Sequence, residues 1–186
     1  MIKLLRASVL ILLAGVTMPA LAGEPLVIPD EGFVVSDDIG ALPAPVREKR
    51  EALIAAARSG DIEQLRPLFA AEPVPPTVSF GEPEDAIAYL KSESADGAGV
   101  EILAILRTLL DAPYAAVAAD DGVPYFVWPY LAAYEDISAL KPSELVDAYR
   151  VMGHAKFEEM RGLGTWFYWR VYVGAAGDLQ AFVAGD

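Results

Sequence analysis

The last stretch of the chain, residues 165–186, constrains the fold most. Two runs of strand-forming residues, 166–173 and 179–184, flank Gly174-Ala175-Ala176-Gly177-Asp178. This is the pattern of a β-hairpin with a short glycine-containing loop. Alternation along the first run sends Trp166, Tyr168, Arg170 and Tyr172 to one face and Phe167, Trp169, Val171 and Val173 to the other. Both faces are largely apolar. The strand should therefore be central, covered by helices on one side and by a lid or groove on the other. Arg170 stands out as a cation among tyrosines. It would meet an acidic ligand group there, or else snorkel or pair with a loop acid.

A second hairpin is written into residues 114–128. Strand-forming runs at 114–118 and 123–128 flank Asp120-Asp121-Gly122, and Asp-Gly favours a tight turn. Tyr125, Phe126, Val127, Trp128 and Tyr130 make its second strand aromatic, and Pro129 ends its ladder because proline has no N–H. The two aromatic strands are expected to be neighbours. Thr77 to Phe80 reads as a further short strand.

Helical periodicity fills the rest. Residues 45–58 place Val46, Leu53, Ile54 and Ala57 on one side, with Gly60 at the stop. Asp61 and Gln64 form a capping-box pattern before Ile62, Leu65, Leu68 and Phe69. A helix from Pro83 to Leu90 and a strongly apolar one over residues 100–110 follow. Residues 142–161 read as a helix that Gly153 splits in two. The expected fold is α+β, with four to six helices packed on a small antiparallel sheet built from the two hairpins.

The N-terminus carries an address. Lys3 and Arg6 precede an apolar run over residues 7–16, and Pro19 precedes Ala20-Leu21-Ala22. That is a secretory signal peptide over residues 1–22, cut between Ala22 and Gly23. Its short form looks bacterial, so a periplasmic or secreted location is expected. No later segment is apolar for about 18 residues, so a soluble protein with no membrane contact is expected after cleavage. Residues 23–45 form a Pro/Asp-rich linker before a single domain over residues 46–186, with Leu26-Val27-Ile28 and Phe33-Val34-Val35 as possible edge segments.

Composition excludes several chemistries. The net charge is -13, and removing Lys3 and Arg6 with the leader leaves 12 basic against 27 acidic side chains. So acidic a surface, with no basic patch, repels nucleic acid. With no cysteine and one histidine, His154, thiol nucleophiles, disulfides and multi-histidine metal sites are excluded. Asp37-Asp38 and Asp120-Asp121 read as turn residues, and no metal site is assigned. Gly97-Ala98-Gly99 lacks the third glycine of a dinucleotide fingerprint, and no cofactor is expected.

Two function classes remain. One is a non-catalytic domain that binds a small molecule, a peptide or an envelope protein through the aromatic residues Trp128, Tyr130, Trp166, Tyr168 and Tyr172, with Arg170. The other is a hydrolase or lyase in which His154 acts as base beside Glu158, one helical turn away.

Residues 80–82, 89–94, 125–130 (YFVWPY) and 182–186 (FVAGD) together resemble a family of uncharacterised exported bacterial proteins. The resemblance covers most of the chain from about Leu53 onward and implies export, with no activity attached. Helix order and the aromatic C-terminal hairpin also resemble NTF2-like α+β domains.

Overall fold

The computed structural model describes residues 26–29 and 32–185. The signal peptide and its cleavage site lie outside these residues. Five strands form one antiparallel sheet in the order β1-β2-β3-β4-β5: Phe33–Ser36, Tyr114–Val117, Tyr125–Trp128, Arg170–Gly174 and Leu179–Val183. Among the described residues six α-helices accompany it: α1 (Ala44–Ser59), α2 (Leu65–Ala70), α3 (Ala86–Ser92), α4 (Val100–Leu110), α5 (Pro142–Met152) and α6 (His154–Arg161). This is the α+β architecture of helices on an antiparallel sheet.

Register fixes the two faces. Trp128 opposes Val171 and Phe126 opposes Val173, so these four share one face with Tyr114 and Ala116. All six are at most 1 % exposed. Helices α1 and α4 pack on each other and both touch β4, which puts the main core between them and this face. Leu53, Leu103, Leu106 and Leu109 fill it from the helix side. Each such side chain contributes about 1.5–3 kcal/mol of apolar burial. The opposite face carries Tyr125, Val127, Arg170 and Tyr172.

Helix ends follow local chemistry. Gly60 closes α1 in the left-handed region at φ 71°. The Arg50 guanidinium donates twice to the Leu110 carbonyl, at 3.0 and 2.7 Å, and so satisfies the C-terminus of α4 from the neighbouring helix. At the other end of α4, Asp96 accepts from the Ser94 hydroxyl and from the amides of Ala98, Gly99 and Glu101. Burial works against its charge, but these hydrogen bonds win and hold its pKa at about 2. Of the Gly97-Ala98-Gly99 loop, the Ala98 and Gly99 amides therefore serve Asp96, and that of Gly97 donates to the Ser94 carbonyl.

Four expectations change. The stretch read as a linker supplies β1, whose Val34 and Val35 oppose Ala116 and Ala115, so the folded body includes it. Thr77 to Phe80 is not a strand; Thr77 alone bridges β5, in parallel with Ala181. Helix α3 starts at Ala86 rather than at Pro83, because the Asp85 carboxylate accepts from the amides of Ile87 and Ala88 and sets the cap there. The last hairpin is shorter than its alternation implies. Residues 166–169 lie outside β4, since β3 ends at Trp128 and Pro129 offers no N–H to extend the ladder.

Candidate functional site

The aromatic candidates divide by burial. Trp128 is fully buried, and Tyr130 and Trp166 are each 4 % exposed. The Trp166 indole N–H donates to the Trp169 carbonyl at 3.4 Å. The Tyr130 hydroxyl donates to Asp147 at 3.1 Å, and the neighbouring Tyr134 hydroxyl donates to Glu144 at 2.8 Å. Burial first, and these carboxylates second, push the Tyr134 phenol up to about 12 and raise that of Tyr130 further. Both phenols are thus fixed to α5 as neutral donors. These three rings are packing elements and line no open surface.

Trp128 offers a test of that role. Its indole Nε1 is buried without a hydrogen-bond partner among the described residues. Trp128→Phe removes this orphaned donor along with some volume, so the two effects oppose each other. The expected loss is about 1 kcal/mol or less in urea unfolding, against about 4 kcal/mol for Trp128→Ala.

Tyr168, Arg170 and Tyr172 are half-buried. Burial, with the Glu101 carboxylate second, raises the Tyr168 phenol. The Tyr172 ring lies 5.9 Å from that of Tyr125 across the strand pair. Arg170 forms no ion pair among the described residues; its guanidinium reaches back to the carbonyls of Trp166 and Tyr168 at 3.5 Å each. Arg170 and Tyr172 share the less buried face of β4, and Tyr168 precedes the strand.

His154 and Glu158 fall on α6 one turn apart, yet the structure does not join them. His154 is exposed, and its imidazole has no hydrogen bond among the described residues. Its ring rests 5.0 Å from that of Tyr149. Glu158 is engaged elsewhere, accepting from the Tyr149 hydroxyl at 3.2 Å and from Arg161 at 3.3 Å. Asp38 and Asp121 each accept a backbone amide two residues on, as turn residues do. Among the described residues no group of three or more His, Asp or Glu is placed to hold a metal.

A concave surface lies elsewhere, along residues 74–86. Val74, Pro75, Pro76, Phe80, Glu82 and Glu84 help to line an open groove of about 650 Å³. It adjoins a second hollow of about 310 Å³, with which it shares Pro75, Pro76, Glu84 and Ala86. Val74 is 71 % exposed and Phe80 57 % exposed, and both line the same groove. Scattered single apolar side chains on a surface need no explanation, whereas these two stand together in one concavity.

This loop is tied down along its length. Glu72 pairs with Lys49 of α1, and their side chains are only 3 % and 17 % exposed. Thr77 donates to the Gln180 carbonyl and accepts from the Phe182 amide, both at 2.9 Å, which fastens the loop to the edge of β5. Val78 is 3 % exposed and anchors the floor. Arg66 clasps Asp85 through its two terminal nitrogens, at 3.1 and 3.2 Å, and so lowers the Asp85 pKa. Among the described residues Glu82 is the one non-glycine residue with positive φ, at 46°. That conformation costs an ordinary L-residue about 1–2 kcal/mol and gathers at functional loops.

Sequence reasoning passed over this groove. The Pro75-Pro76 pair reads as a helix stop, and Phe80 is indistinguishable from an inward strand residue without the fold. The Glu82 backbone has no signature in composition. No family model, no curated protein and no solved structure matches the chain.

Proposed function

We propose that the chain is an exported, non-catalytic binding protein that docks a partner in the groove of residues 74–86. The observation that carries this reading is the joint exposure of Val74 and Phe80 in one concavity whose backbone is anchored at both ends and in the middle. A loop fastened in this way loses little entropy on binding. The strained Glu82 supports the same reading. The N-terminal signal-peptide pattern supports export to a periplasmic or secreted setting, and the carboxylate-rich surface argues against nucleic acid as the partner.

The test combines stability with retention. Val74→Ser/Phe80→Ser should unfold within about 1 kcal/mol of the parent protein, because both side chains stand in solvent. The same variant should lose the protein that the parent retains from the periplasmic fraction of the source cell. Equal retention by the double variant would overturn the reading.

A further inference from the structure

We infer that the groove takes an extended peptide segment in which a lysine or arginine stands beside an apolar side chain; this rests on the docking reading above. The inference comes from the charges around the groove. Two acids at the ends of this loop are already paired: Glu72 with Lys49, and Asp85 with Arg66. Glu82 and Glu84 line the groove and have no cationic partner among the described residues. Two unbalanced carboxylates therefore sit next to an apolar wall of Val74, Pro75, Pro76 and Phe80.

That juxtaposition selects a ligand with both features. The wall gains from an apolar side chain, and the phenyl face of Phe80 attracts a cation as well. The carboxylates gain from a guanidinium or ammonium group and repel an acidic segment. The net charge of -13 adds a field that draws cationic partners, screened beyond about 8 Å at physiological salt. At about 650 Å³ the groove has room for two neighbouring side chains of a peptide. Thr77 already occupies its stretch of the β5 edge, so recognition there runs through side chains rather than through an added strand.

Nitrogen-15-labelled protein titrated with three synthetic decapeptides tests this. One alternates lysine with leucine, one glutamate with leucine, and one lysine with serine. The lysine–leucine peptide should shift the amides of residues 74–86 saturably, and each of the others should bind about tenfold more weakly or worse. Glu82→Gln/Glu84→Gln should weaken the lysine–leucine peptide about tenfold and flatten its salt dependence. Equal binding of the glutamate–leucine peptide at residues 74–86 would overturn the charge assignment while leaving the groove as a docking site. Shifts by the lysine–leucine peptide that are as large around Asp120 and Asp121 as in the groove would reduce the effect to general attraction and overturn it. Absence of any shift at residues 74–86 with all three peptides would overturn both the assignment and the docking reading.

Discussion

Lys49→Met should lower the unfolding free energy by about 3 kcal/mol or more. The ammonium of Lys49 meets a Glu72 carboxylate that is almost wholly shielded from water. Removing the cation alone strands a buried charge, and that loss exceeds the net worth of the pair. Lys49→Met/Glu72→Leu, which removes both charges, should recover most of the loss. Urea unfolding of the parent, single and double variants reads this directly. A double variant as unstable as the single one would show that packing of the lysine stem, not the charge, is what matters. The effect reaches the groove because Glu72 fixes the entry of the loop that carries Val74 and Phe80.

Gly177→Ala should cost about 3 kcal/mol. Gly177 lies in the turn of the β4–β5 hairpin at φ +86°, and a Cβ added there would sit 2.7 Å from the Pro45 carbonyl oxygen and 2.8 Å from its carbon. Two penalties combine: the left-handed backbone and a clash with backbone at the start of α1. Gly122 in the other hairpin separates them. It too has positive φ, at +76°, but nothing lies within 4 Å of its added Cβ. Gly122→Ala should therefore cost only about 1 kcal/mol. Equal losses at the two positions would remove the close approach between the last hairpin and α1 as an element of the fold.

Long, periodic segments were legible before the structure. Helices α1 and α4 follow from their apolar spacing, and both hairpins follow from their glycine turns. The pairing of the two aromatic strands also holds, with Trp128 opposite Val171. Boundaries set by single contacts were not legible. Asp85 starts α3 three residues after Pro83, and Pro129 leaves residues 166–169 without a ladder partner. Alternation sorted Arg170 and Tyr172 onto the more open face, yet it did not reveal that Trp128, Tyr130 and Trp166 are interior. A large aromatic residue in a strand reads the same whether it faces a core or a ligand. His154 and Glu158 show the reverse case. Their helical spacing is as expected, but Tyr149 and Arg161 hold the carboxylate that the spacing offers to the histidine. The groove depends on where residues 72–85 cross the edge of β5, a long-range contact that no local pattern encodes.

A photocrosslinking side chain placed at position 80, with a second protein carrying it at position 146, tests the docking surface most directly in the source cell. Phe80 and Val146 are similarly exposed, at 57 % and 65 %, and Phe80 lines the groove while Val146 stands on α5. The expected result is a discrete adduct from position 80 that is absent from position 146 and that is lost when Glu82→Gln/Glu84→Gln is combined with it. The same adducts from both positions, or none from position 80, would contradict a binding role for this groove.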